Sequence, residues 1–423
     1  MTKYSKGYKW EVLLLLWIAF FLNQADRQVF NVVLPLIKDD LQLSDLQIGS
    51  IATAFNLVYA ILVPLAGYIG DLFSRKWVVA LSILFWSVAT MFTGLSNGVL
   101  MLILMRSIAT GGGEAFFGPA NYSLLASYHK DTRSFAMSIH QTSYYLGIIL
   151  SGFVAGYIGE RWGWRNAFYV FGAVGVIHGI VLIFRLKDKK DDPDVRKEEK
   201  VQLLEGFKIL FRTPTALMLT IGFSGLIFVL TGYLTWMPTY LYENFHMSLS
   251  SAGFHSMFYT HLFAFVGIIF AGKYSDKIAK KDPAARMLMQ GIGLLVAAPF
   301  IILMGNSTVL FTIYIGFAGF GFARAFFDAN TYTVLYDVIP EKYHSSASGT
   351  MIMTGFLVGS MSPIVLGYLK PLFGLSFGIS MLAVVWVVCG LLLIFTSKYL
   401  YKRDSAKVHF MNEIDKVKLT SLI

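Results

Sequence analysis

Six charged residues stand inside otherwise apolar stretches of this chain: Asp26, Arg27, Arg106, Glu114, Arg324 and Asp328. A charge at the centre of a membrane span costs roughly 2.5–3.5 kcal/mol on insertion scales, so such residues face a cavity or a partner. Arg27 and Arg106 suit the binding of a carboxylate, because a guanidinium fork matches that geometry and stays charged. Asp26 and Glu114 are candidates to take up and release a proton. Burial favours the neutral acid and a neighbouring arginine favours the carboxylate, so an anion that occupies the arginine releases the carboxylate to take a proton. The competing account is a structural ion pair, Asp26–Arg106 or Asp26–Arg27, that holds helices in register. At about 1.5 Å per residue, Asp26 and Arg106 each lie roughly 10 Å from the outer end of their spans. Asp26 and Arg27 point about 100° apart on one helix, so they address different neighbours. Arg324 and Asp328 are spaced i, i+4, for which a local ion pair is the simplest account.

Other polar groups enter the same apolar runs. Gln141, Tyr144 and Tyr145 follow His140 into one span, and Trp236 and Tyr240 lie in another. These aromatics suit stacking on a sugar ring or closing a cavity, although tyrosine and tryptophan also serve as interfacial anchors. His140, His255 and His261 read as cavity-lining or hydrogen-bonded residues rather than proton carriers. His255 and His261 are six apart, so they do not form an i, i+4 metal pair. Gly152 and Gly156, like Gly355 and Gly359, have the spacing that lets helices pack closely.

The elements that carry these residues are membrane helices. Of the 423 residues, 56% are hydrophobic and 14% charged, against about 25% charged in soluble domains. A crossing helix needs about 20 mostly apolar residues. Runs near 10–33, 46–70, 77–97, 99–122, 134–158 and 166–186 meet that length, as do 213–241, 252–273, 287–304, 308–330, 345–369 and 375–397. The expected fold is therefore an all-α membrane protein of twelve helices. It divides into an N-terminal half (1–186), a hydrophilic linker (187–212) expected to hold some amphipathic helix, a C-terminal half (213–400) and a tail (401–423). Lys38, Arg161, Arg165 and Lys370 fall on one side of the membrane and three arginines lie within spans. All the rest of the 35 basic residues fall on the other side, so both termini and the linker are expected to be cytoplasmic. The first apolar run is followed by Asp26-Arg27 rather than a small-residue cleavage site, and is expected to be a retained helix.

The net charge of +10 sits in turns and tails, with no basic stripe to engage nucleic acid. A single cysteine, Cys389, excludes an intrachain disulfide and a cysteine-based metal cluster. No metalloprotease helix motif, nucleophile elbow or phosphate-cradling loop is present; Gly111-Gly-Gly113 lies within a span without a following Lys-Ser/Thr. Neither an enzyme nor a cofactor is expected.

The chain repeats itself. Gly67, Asp71 and Arg75 return as Gly272, Asp276 and Lys280, each 205 positions on, in short polar turns between apolar runs. Glu114-Ala-Phe-Phe returns as Arg324-Ala-Phe-Phe, which offers Arg324 as an anion clamp in the second half. Asp71 and Asp276 are expected to gate rather than react. A carboxylate at the membrane edge can bond the amides of a neighbouring helix N-terminus, and Arg75 or Arg133 can pair with Asp71.

Gly67, Asp71, Arg75 and Lys76 resemble the loop signature of the major facilitator superfamily, with Leu72 and Ser74 departing from its usual Arg and Gly. Asn23-Gln-Ala-Asp-Arg27, Arg106 with Gly113-Glu-Ala115, and Thr235-Trp-Met-Pro-Thr-Tyr-Leu241 are similar to the anion:cation symporter group and its spinster-like relatives. The resemblance implies a monomeric secondary transporter of the cell (inner) membrane. It would move a small organic anion, such as sialic acid or a hexuronate, with a proton or sodium, by alternating access of two six-helix halves. A lysolipid or amphipathic cargo, and a nutrient sensor without turnover, stay open. The antiporter signature of the superfamily carries a Gly-Pro pair in the fifth span, and this chain has no proline there. The symporter group spaces its fourth-span arginine and glutamate by seven positions, whereas Arg106 and Glu114 are eight apart. Either the helix absorbs one residue as a bulge, as π-bulges at functional sites do, or Arg106 points elsewhere.

Overall fold

The computed structural model describes residues 7–129, 131–187 and 203–408; within these, the side chains of residues 67–72, 134, 203, 204, 342 and 345 are not described. In chain order the helices are α1 (Tyr8–Leu41), α2 (Asp45–Leu72), α3 (Arg75–Thr93), α4 (Val99–Tyr128), α5 (Arg133–Trp162) and α6 (Trp164–Arg185). The short α7 (Leu203–Arg212) is followed by α8 (Pro214–Phe245), α9 (Leu249–Ala279), α10 (Ala285–Asn306), α11 (Leu310–Asp328), α12 (Thr331–Val338), α13 (His344–Gly359) and α14 (Ser362–Tyr399). Eleven helical runs among the described residues are long and apolar enough to cross a bilayer, the last of them spanning Ser346–Tyr399.

That last run is 54 residues long, far more than the roughly 20 a single crossing needs. It is interrupted at Gly374, where the backbone takes φ 80° and ψ 162°. Gly163, between α5 and α6, has almost the same conformation, φ 86° and ψ 154°. Residues with a Cβ avoid this region, so glycine is needed at both corners. The chain thus turns alike at two positions 211 apart, a structural counterpart of the repeat.

The helices group into two compact units. The first comprises 1–191 with 233–258 and 360–372; the second comprises 192–232, 259–359 and 373–423. In the first, α1 packs along α5 and α3 along α6, around a core that includes Phe20, Trp86, Phe117 and Leu124. Close approach here depends on glycine. A Cβ on Gly152 would meet the Gly253 carbonyl oxygen at 2.6 Å, and one on Gly156 would strike the backbone of Ser250. Ion pairs tie distant stretches of the same unit: Asp45 meets Lys38 at 2.7 Å and Lys370 at 3.1 Å, and Lys370 also meets Glu243 at 2.7 Å. His129, after α4, donates from Nε2 to the Lys9 carbonyl at 2.8 Å and meets the Thr132 hydroxyl at 2.9 Å. Burial holds its imidazole below the usual histidine range, which suits this neutral clasp on the start of α1.

In the second unit α10 lies along α11, and Phe320 of α11 stacks on Trp386 at 4.9 Å. The N-terminus of α8 is capped by Asp404, which accepts from the Thr215 amide at 3.0 Å and hydroxyl at 2.8 Å. This satisfies donors that the first turn of a helix leaves unpaired.

Candidate functional site

Two helices of the first unit, α1 and α4, bring four of the six charged residues together. Arg27 of α1 donates from Nε to Oε2 of Glu114 in α4 at 2.5 Å. Its guanidinium lies over the Tyr59 ring of α2 at 4.3 Å. Arg106 of α4 donates from Nη2 to the Arg27 carbonyl oxygen at 3.1 Å and lies over the Phe55 ring at 4.1 Å. Asp26 accepts from the Thr90 hydroxyl of α3 at 2.9 Å rather than pairing with either arginine. The divergence of adjacent positions on α1 accounts for this: Arg27 turns to α4 and α2, Asp26 to α3.

Burial is deep. Asp26 is 5% exposed, Arg106 4% and Glu114 1%, while the Arg27 side chain is 19% exposed. Two donors of Arg106, Nε and Nη1, and one acceptor of Glu114, Oε1, have no hydrogen-bond partner. Buried polar atoms nearly always have one, so these three set the cluster apart from an ordinary packed interior. The aromatic faces of Phe55 and Tyr59 partly offset the desolvation of the two cations.

Local backbone explains how eight positions still bring Arg106 and Glu114 together. Residues Ile103–Thr110 form a π-helical stretch, and regular α geometry resumes at Gly111. At about 100° per residue, eight regular positions would separate the two side chains by about 80°. With one residue absorbed, seven remain, and the separation falls to about 20°. The bulge is pinned by the Thr110 hydroxyl on the Met105 carbonyl at 2.9 Å and by the Ser107 hydroxyl on the Ile51 carbonyl of α2 at 2.8 Å. Gly111 lies against Phe55 and Gly113 against Trp86, so the glycine run also serves close packing.

The remaining sequence candidates are dispersed. Tyr144 and Tyr145 meet edge to face at 5.3 Å, and Tyr144 lies near Phe20 at 6.2 Å; Gln141 is exposed. His140 is buried, accepts from Asn121 Nδ2 at 2.9 Å and stacks on Phe20. Trp236 belongs to another cluster: fully buried, it donates to the Pro363 carbonyl at 3.0 Å beneath Lys370. Arg324 is in the second unit, where its Nε lies 3.3 Å from Asp328. Asp276 pairs with Arg286 at 3.1 Å; Arg286 also approaches Asp337, which accepts from the Tyr401 hydroxyl at 2.6 Å. Arg133 and Lys280 are exposed. Arg75 has interactions of its own, whereas the surroundings of Gly67 and of the Asp71 side chain lie outside what is described. Among the described residues no group of His, Cys, Asp and Glu is arranged to hold a metal ion.

Sequence reasoning did not find Phe55, Tyr59 or Thr90. Phe55 and Tyr59 are i, i+4 and so share a face of α2, a detectable signal; a lone threonine gives none.

A sequence profile of the Major Facilitator Superfamily matches residues 16–363. The chain belongs to this superfamily. It is a multi-pass membrane transporter and not an enzyme. It is 26% identical over 399 residues to the hexuronate transporter of Bacillus subtilis, covering 89% of this chain and 91% of that one. It is 28% identical to a probable sulfoacetate transporter of Cupriavidus necator, covering 85% and 86%, and 26% identical to protein spinster homolog 1 of Xenopus tropicalis, covering 88% and 74%. Among solved structures, a bacterial homologue of the human lysosomal transporter Spinster, inward-facing and unoccupied, superposes with a TM-score of 0.82 at 21% identity. That match covers 94% of this chain and 99% of the other.

Proposed function

We propose that this chain is a secondary active symporter of a small organic anion, driven by a proton, with Asp26, Arg27, Arg106 and Glu114 as its site. The observation that carries this reading is the pair of unpartnered, buried Arg106 donors beside an Arg27 already neutralised by Glu114. Arg106 receives the substrate carboxylate. A proton on Glu114 then frees Arg27 to add a second guanidinium. Charge balance favours the same order: two carboxylates and two guanidiniums sum to zero, so an entering monoanion needs a proton to avoid a buried net charge. After release of both, Glu114 pairs again with Arg27. Asp26, held by Thr90, is the second coupling carboxylate. Relatives named for hexuronate and sulfoacetate support an acid as cargo.

In this reading the chain crosses the membrane twelve times, because Gly374 divides the last run. It forms halves 1–186 and 213–400 joined by the linker, with both termini cytoplasmic and a monomer as the working unit. Arg324 is the anion clamp of the second half, Tyr144, Tyr145, Gln141 and Trp236 handle substrate, and Gly67, Asp71, Arg75, Arg133, Asp276 and Lys280 are gating residues.

A thermal-shift screen tests the cargo. Hexuronates, aldarates and sulfoacetate should raise the melting temperature, and neutral sugars should not. If neutral sugars stabilise and acids do not, the carboxylate clamp fails; stabilisation by lysophospholipid alone selects the lipid cargo suggested by the spinster likeness. Arg106→Ala should abolish the shift. Glu114→Gln should keep it yet lose accumulation in proteoliposomes driven by a proton gradient, and a sodium gradient should not replace that drive. Normal accumulation by Glu114→Gln removes this residue from coupling, and binding without any uptake selects the sensor.

A further inference from the structure

The short helix α7 has three distinct flanks. Gly206 and Leu210 are buried, and Gly206 lies against Ser346 near the start of α13 with no room for a Cβ. A second flank carries Phe207 and Phe211, 42% and 37% exposed, whose rings meet at 4.7 Å. The third carries Glu205, Lys208 and Arg212, all exposed. At about 100° per residue, the two phenylalanines point about 40° apart, and the basic pair follows about 100° further round. Two adjacent exposed aromatics beside a charged flank give α7 an amphipathic outer surface.

The position of α7 says what covers them. Only Thr213 separates α7 from α8, and α8 is one of the apolar helices long enough to cross the bilayer. Pro214 starts α8, and Asp404 fixes that start through Thr215, so α7 cannot drift from the level at which α8 enters the membrane. The Tyr343 hydroxyl, donating to Glu205 at 2.9 Å, holds it as well.

We infer that α7 is an interfacial helix, with Phe207 and Phe211 inserted among lipid acyl chains and Lys208 and Arg212 on the phosphates of anionic headgroups. An amphipathic helix lying in the interface buries its apolar face about 5–10 Å into the headgroup and acyl boundary, and basic residues beside that face draw it to anionic lipid. Because Gly206 and Tyr343 tie α7 to the base of α13, the lipid surface thereby anchors α13. This inference needs only a membrane-embedded chain and is independent of the cargo.

Spin labels placed singly at positions 207, 208, 211 and 212, through Phe207→Cys, Lys208→Cys, Phe211→Cys and Arg212→Cys, test it in the full chain. Buried Cys389 stays in place. The protein is reconstituted in phosphatidylcholine vesicles with and without phosphatidylglycerol. Labels at 207 and 211 should collide several-fold more with oxygen, relative to a water-soluble nickel chelate, than labels at 208 and 212. Phosphatidylglycerol should raise that ratio at 211, and Lys208→Glu with Arg212→Glu should cancel the rise. Equal nickel access at all four positions places α7 in water and overturns the proposal. Shielding of 207 and 211 from both reagents means that protein covers them, and overturns it equally. A monodisperse elution profile for each labelled chain keeps misfolding from imitating either result.

Discussion

Arg27 and Glu114 hold each other in a medium that tolerates neither alone. Removing one member of a buried ion pair leaves an uncompensated charge and costs about 3–5 kcal/mol, whereas removing both charges together is often near neutral. Arg27→Ala should therefore lower the melting temperature of the purified protein in detergent markedly. Arg27→Ala combined with Glu114→Gln should recover most of the loss. Without that recovery, Arg27 contributes by packing on Tyr59 and Phe55, and the pair is not the unit that holds α1 to α4. Arg106 differs in kind. Its partners are a carbonyl oxygen and two aromatic faces, with no carboxylate bonded to it.

At the level of the helix, α4 solves a register problem. The π-helical stretch Ile103–Thr110 absorbs one residue and so returns Arg106 to the face that carries Glu114. Deleting Ala109 should convert the stretch to regular α geometry, give the spacing of seven, and keep ligand-induced stabilisation. Adding an alanine after Ile108 should turn Arg106 about 100° away and abolish that stabilisation while the protein still folds. If the deletion abolishes binding and the addition spares it, Arg106 and Glu114 do not act from one face. The same helix shows why Gly111 and Gly113 cannot be replaced freely: Phe55 and Trp86 occupy the space a Cβ would need.

At the scale of the whole chain, the distribution of basic residues and the two glycine corners make one prediction. Gly163 and Gly374 place equivalent breaks 211 positions apart, so the C-terminal stretch should cross twice and return the tail to the side of the linker. Single cysteines introduced at positions 195 and 415 should react with a membrane-impermeant maleimide only in inside-out vesicles. A cysteine at position 97, in the turn between α3 and α4, should react only in intact cells. Labelling of 195 and 415 on opposite sides would leave an odd number of crossings between them and sink the twelve-span reading.

Length, apolarity and the placement of lysine and arginine already determine much about this protein. They specify membrane helices, their approximate limits, a duplication, and the short list of charges that must face away from lipid. These properties are local, because a helix in hydrocarbon satisfies its own backbone and only its length and polarity have to match the bilayer. Family membership was legible too, in the polar turn at Gly67–Lys76 and the charges of the first and fourth spans. Which charges meet was not. The sequence left open Asp26 against Arg106, Asp26 against Arg27, and whether eight positions could bring Arg106 and Glu114 to one face. Tertiary structure decided for Arg27–Glu114, for Asp26 on Thr90 and for Arg106 over Phe55, because those contacts depend on how α2, α3 and α4 are rotated against α1. That rotation is fixed by packing between residues tens of positions apart and by one π-helical stretch, for which an apolar periodicity carries no signal.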